Sequence, residues 1–207
     1  MLKTGRTVRL HATPFTRAYW RDAGQSMGDL RLLVFAALMI AMARALSLLP
    51  SIPIWHTRMS FGFLARALCA LVCGPIMGLV YGFAEDILGF ILQPTGDFFF
   101  GYTLSTMAGV LVYALCFYRA RITVLRLTVA NLLVNVLVNA VMGSLWTMMV
   151  RGGGYWGWFT VSLSKNLVTV VPKVILLAVL FRAILPILQQ MGVIPRQLGE
   201  KNRLAWF

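Results

Sequence analysis

The sequence predicts an all-α membrane protein of six transmembrane helices with both termini on the cytoplasmic side. Three observations carry that prediction. Hydrophobic residues make up 59% of the 207 positions and charged residues only 12%, a mixture too apolar to clothe a soluble globule, so lipid is the solvent this chain requires. The apolar residues gather into runs at 32–49, 59–73, 76–92, 101–118, 122–149 and 160–183, and about 20 helical residues cross a hydrocarbon core of about 30 Å. Most of the basic residues gather in alternate connections, which puts them on one side of the membrane, as the positive-inside bias requires.

Residues 1–31 hold Lys3, Arg6, Arg9, Arg17, Arg21 and Arg31. An Arg-rich, acid-poor start resembles a transit peptide, but Asp22 and Asp29 fit that reading poorly, and the apolar core and small-residue cleavage site of a secretory signal are missing. A basic cytoplasmic arm, with Tyr19 and Trp20 at the lipid headgroups, accounts for the same residues without cleavage. In the first run, Ala37, Ala41 and Ala45 recur at intervals of four. Small residues at that spacing let another helix approach closely, which makes this a candidate docking face for a partner subunit, with Arg44 as the lone charge beside it.

Gly74-Pro75 decides the helix count. Without a turn there, residues 59–92 form one span of 34 residues, far beyond the roughly 17–25 of a crossing. A turn gives six spans and leaves only Arg58 and Arg151 in the outer loops, with Arg119, Arg121 and Arg126 inside. Five spans would reverse the charge bias over half the chain. The outer segments 50–58, 93–100 and 151–158 are rich in Pro, Gly and aromatic residues; they read as shaped loops that together form a lid over a cavity opening outward.

Polar groups within spans need a partner or a purpose. Glu85 and Asp86 are the only carboxylates in an apolar run. Neighbours on a helix point about 100° apart, so at most one faces a cavity. One of them pairs with Arg66 on this reading, and Asp86 accepts hydrogen bonds from a ligand. The fifth run draws a polar stripe of Asn131, Asn135, Asn139 and Gly143, and the sixth carries Lys165, Asn166, Thr169 and Lys173. Interhelical hydrogen bonding and ligand contact both account for such stripes, and Asn139 is the one assigned here to a ligand. The basic residues of the sixth run suit an anionic solute. Cys69, Cys73 and Cys116 lie in apolar runs and read as buried small hydrophobes, not as metal ligands. The chain has no phosphate-binding loop, no H-E-x-x-H and no G-x-S-x-G. No cofactor or metal is therefore expected, no nucleic-acid contact, and no enzyme activity carried by this chain alone. The membrane domain is expected over 32–188, with a basic cytoplasmic tail over 189–207.

Several of these segments resemble the substrate-binding S component of an energy-coupling-factor (ECF) vitamin transporter of the folate type. The resemblance runs from Tyr19-Trp20-Arg21 and the 33–41 stretch, through Ser60-Phe61-Gly62-Phe63-Leu64 and Gly74-Pro75, to Asp86-Ile87-Leu88-Gly89, Pro94-Thr95-Gly96, Tyr118-Arg119-Ala120-Arg121 and Lys165-Asn166-Leu167. It implies a six-helix S-component bundle in the plasma membrane that binds a folate-like vitamin from outside. It also implies docking, through Ala37, Ala41 and Ala45, on a transmembrane coupling subunit that contacts two ATPase subunits. The site it implies includes Phe61, Phe63, Asp86, Thr95, Gly96, Tyr102, Asn139 and Asn166, with Arg58 and Lys165 near the mouth meeting the glutamate tail of the solute. The chain departs from the folate pattern at Asp97 and Phe100, where prolines are expected, at Ser162, where an arginine is expected, and at Pro172-Lys173. Three alternatives stay open from sequence: a binder of another vitamin or nucleobase, a structural six-helix morphogenesis-type protein with no solute, and an intramembrane enzyme using Glu85 and Asp86.

Overall fold

The structure is a computed structural model that describes residues 16–50, 52–54, 57–94, 98–192 and 194. Six helices occur among them: α1 (Arg17–Ser26), α2 (Leu30–Leu48), α3 (Gly62–Leu92), α4 (Phe100–Phe117), α5 (Val124–Arg151) and α6 (Tyr155–Gln190). All but α1 are long and apolar enough to cross a membrane. A short antiparallel hairpin, β1 (Ile52–Ile54) and β2 (Thr57–Met59), joins α2 to α3, with Ile52 opposite Met59. The segment between α2 and α3 is thus shaped by a backbone ladder.

Local chemistry sets the helix ends. Asp29 precedes α2, and its carboxylate accepts from the Arg31 N–H at 3.0 Å; Thr123 does the same for α5 with the Arg126 N–H at 3.2 Å. Each satisfies a backbone donor that the helix itself leaves open. Gly152 ends α5 at φ 75°, the left-handed stop that glycine adopts without a side-chain clash.

Helix α3 carries the chain reversal at Gly74, where φ is 80° and ψ −174°. The consequence is visible in an ion pair: Arg66 Nε lies 2.9 Å from Glu85 Oε2, although the two are 19 residues apart. In an unbroken helix they would be about 28 Å apart. The two arms, 62–73 and 75–92, therefore fold back beside each other, as the turn expected at Gly74-Pro75 requires. A Cβ on Gly74 would come within 2.9 Å of the Tyr118 ring, so both backbone and packing demand glycine. The second arm lies tightly on α4: a Cβ on Gly82 would sit 3.0 Å from the Met107 Cα. The Gly78-x-x-x-Gly82 spacing is a sequence signal for that close approach.

The core centres on α3, α4 and the inward faces of α5 and α6, with Leu71, Met77, Phe117, Leu127, Leu177 and Phe181 among its fully buried side chains. Helix α2 packs on α3 through Ala36 and Ala43, which are buried.

Three expectations change. Tyr19 does not lie at the headgroups: its ring is buried against Tyr118 and its hydroxyl donates to the Ala114 carbonyl at 3.1 Å. Tyr19 and Ala23, four apart, form the face of α1 that docks on the bundle, while Trp20 stays exposed. Burial pushes the Tyr19 phenol up from its ordinary pKa. Asp22 pairs with Arg119, so part of the predicted arm is structured against the end of the bundle where α4 meets α5. Helix α5 contains a π-helical stretch, Val134–Met142, which periodicity did not indicate. Helix α6 extends well beyond the predicted 160–183, running through Pro172 and Pro186. The predicted 189–207 tail lies largely outside the described residues.

Candidate functional site

Glu85 is completely buried, and a carboxylate there demands charge partners. It has two: Arg44 from α2, and Arg66 from the first arm of α3, whose Nη2 donates to Oε1 at 3.2 Å. The expected pairing with Arg66 therefore falls to Glu85, and Arg44 is a contact residue. Asp86 points elsewhere and accepts from Thr103 Oγ1 at 2.7 Å and Thr106 Oγ1 at 3.0 Å, both on α4. The two carboxylates do not converge on one reaction centre.

Two cavities flank Arg66. The deeper one, about 380 Å³, lies between the first arm of α3, α4, α5 and α6; its walls include Phe63, Arg66, Thr106, Asn139, Asn166 and Lys173. The other, about 430 Å³, opens nearer the outer loops and is walled by Arg44, Arg66, Asp86, Phe90, Phe98, Phe99 and Tyr102, among others. An aromatic cluster frames it: Phe90 and Phe98 meet edge to face at 5.1 Å, and Phe99 meets Tyr102 at 5.7 Å and Trp146 at 5.6 Å. Concave walls of this kind, with aromatic faces and a few convergent polar groups, suit a flat, polar small molecule. They do not suit a bundle packed solid by its own side chains.

The residues chosen from sequence divide accordingly. Phe63, Asn139 and Asn166 line the deeper cavity, and Asp86 and Tyr102 the outer one. Phe61 caps the start of α3, and it and Lys165 are half-buried and line neither cavity. Thr95, Gly96 and the Arg58 side chain lie outside the described residues, as does part of the expected lid. Ala37, Ala41 and Ala45 are all exposed, opposite the face of α2 that packs on α3.

The asparagine stripe splits by depth. Asn131, fully buried, accepts from the Tyr113 hydroxyl at 3.1 Å and joins α5 to α4. Asn135 accepts from Lys173 Nζ at 2.8 Å and joins α5 to α6. Asn139, hydrogen-bonded to Asn135 at 3.1 Å, reaches the cavity. Sequence reasoning left Arg66 and Thr106 out of the site and gave Lys173 only as one of two cations on a helix face suited to an anionic solute. Lys173 had a signal, as a lysine eight residues beyond Lys165 on one helix; the pairing of Arg66 with a carboxylate was expected, but its place in the walls of both cavities had no signal. Cys69 and Cys73 are buried and unbridged, and no metal-ligand cluster occurs among the described residues.

Comparison with known proteins gives this geometry a context. The family model for the substrate-specific component of ECF transporters matches residues 31–192. The folate transporter FolT of Clostridium novyi (strain NT) is 30% identical over 126 residues, covering 61% of this chain and 73% of the relative. FolT of Leuconostoc mesenteroides subsp. mesenteroides is 28% identical over 123 residues, covering 59% and 66%. A crystal structure of FolT bound with folic acid shares the fold with a TM-score of 0.62 at 24% identity, covering 70% of this chain and 88% of that one.

Proposed function

This chain belongs to the family of substrate-specific components of ECF transporters, and on that premise we propose that it captures folate or a related pterin from outside the cell for an ATP-driven importer. It is a multi-pass integral membrane protein. The observation that carries the solute reading is the pair of polar, aromatic-walled cavities meeting at Arg66, together with the folate transporters among its relatives. A pterin offers a flat face to aromatic rings and several donors and acceptors to side chains. Asp86 accepts from its amino and ring N–H groups, with Tyr102 and Phe63 against its faces and Asn139 and Asn166 at its edges. Phe61, Thr95, Gly96, Arg58 and Lys165 belong to the mouth and the closing loops.

The reversal at Gly74 supports six crossings, which place the amino-terminal segment and the 189–207 tail together in the cytoplasm. The exposed Ala37, Ala41 and Ala45 stripe is the docking face for a transmembrane coupling subunit, and ATP hydrolysis falls to two further subunits. Folate titrated from submicromolar to high micromolar concentrations into the detergent-purified chain should change its intrinsic tryptophan fluorescence saturably, because Trp146 packs on Phe99 in the wall of the outer cavity. An unchanged signal across that range would count against folate as the solute.

A further inference from the structure

We propose that Lys173, held from behind by the Asn135 amide, and Arg66 form an acceptor-reading site in the deeper cavity, which takes a negatively charged or strongly polarised oxygen of the bound solute: a carboxylate or a ring oxo group. The inference rests on the pterin reading above and gives it an inner anchor. The family resemblance put the glutamate-tail contact at Arg58 and Lys165, and the sequence offered Lys165 and Lys173 together as cations for an anionic solute. Lys165 lines neither cavity, whereas Lys173, about two turns further along α6, lines the deeper one beside Arg66.

Charge balance is the first argument. No carboxylate lines the deeper cavity among the described residues. Glu85 is shared between Arg44 and Arg66, so one negative charge faces two guanidinium groups. Lys173 has no carboxylate within salt-bridge distance among the described residues. Its contacts are the neutral Asn135 oxygen at 2.8 Å and the Phe63 ring, whose centroid is 5.9 Å from Nζ. A cation kept in a membrane interior with only neutral partners is costly, and an incoming anionic oxygen offsets that cost.

The Asn135 amide is the second argument. Its oxygen faces two donors, Lys173 Nζ and Asn139 Nδ2, which settles which way round the amide sits. The Nδ2 end is then left with no hydrogen-bond partner in a side chain only 1% exposed. Buried donors are rarely left unmatched without a role. Both neighbours that hold this amide line the cavity. The π-helical stretch contains both Asn135 and Asn139, and such departures from α-helix recur where a helix serves a site.

The test measures dissociation constants for folate and for 6-methylpterin, which keeps the ring oxo group and lacks carboxylates, with the full chain in detergent. Wild type is compared with Lys173→Met, which keeps the stem and removes the charge. We expect Lys173→Met to lose roughly 30-fold in folate affinity, and Lys173→Arg to stay within a few-fold of wild type. A loss for folate alone identifies a carboxylate as the partner; an equal loss for both ligands identifies the ring oxo group. Both results support the site. Unaltered affinity for both ligands in folded Lys173→Met overturns it and leaves the folate reading standing. Binding of neither ligand by wild type overturns the folate reading and the anchor with it. Lys173→Gln, uncharged but still able to donate to Asn135, replaces Lys173→Met if that variant does not fold, with the same expectations.

Discussion

Glu85 and Asp86 are one bond apart in sequence and belong to different parts of the molecule. About 100° of helix rotation turns Glu85 into the protein, where two arginines surround it, and Asp86 toward the threonines of α4 and the outer cavity. The rotation was legible in the sequence. Arg66 was legible as a partner once the turn at Gly74-Pro75 was granted; Arg44 and the α4 threonines were not, because they lie 41 positions away in one case and on another helix in the other. The two variants should therefore separate. Glu85→Gln leaves two guanidinium groups sharing no carboxylate and should cost about 3 kcal/mol of stability, the lower end for breaking a buried ion pair, because both arginines are only partly buried. It would be read as a lower unfolding temperature in detergent. Asp86→Asn should leave that temperature nearly unchanged and weaken folate binding roughly tenfold. Equal effects of the two variants on stability would remove the distinction. The asparagine stripe teaches the same point: its spacing was plain, but Asn131, Asn135 and Asn139 take different partners at successive depths.

Among the elements, α3 was read most fully from sequence, since a largely apolar stretch of 34 residues, 59–92, is too long for one crossing and Gly-Pro offers the place to turn. The combination of φ 80° and ψ −174° at Gly74 is one that only glycine adopts readily, and the Tyr118 ring blocks a side chain there. Gly74→Ala should destabilise the fold by about 1–3 kcal/mol or more, seen as a reduced yield of monodisperse protein and a lower unfolding temperature; wild-type behaviour would mean that the reversal tolerates a side chain. Helix α2 gives the opposite test. Ala41 is exposed on the stripe, so Ala41→Trp should leave folate binding by the isolated chain intact while blocking assembly with a coupling subunit and, with it, uptake. Uptake at the wild-type rate would move the docking face elsewhere. The π-helical stretch was illegible because its wider turn keeps the same residue types at the same spacing and changes only the hydrogen-bond register. The docking of α1 was missed because Tyr19 is as much at home at headgroups as in a core.

For the molecule as a whole, composition and charge bias were enough to predict a helical membrane bundle, because the cost of leaving backbone groups unpaired in lipid narrows the choice of structure severely. The cavities were not predictable in shape, since they arise where four segments distant in sequence meet. The six crossings proposed above would put both chain ends on the cytoplasmic side, so reporter domains fused at either end should both be active inside the cell; one inside and one outside would demand an odd number of crossings. On the proposed function, this single chain, without its partners, holds one pterin-like solute between its helices. Isothermal titration of the purified chain with folate tests it most directly: the account predicts saturable binding at one folate per chain, weakened in Asp86→Asn, and heat indistinguishable from dilution, with the wild-type protein folded, would contradict it.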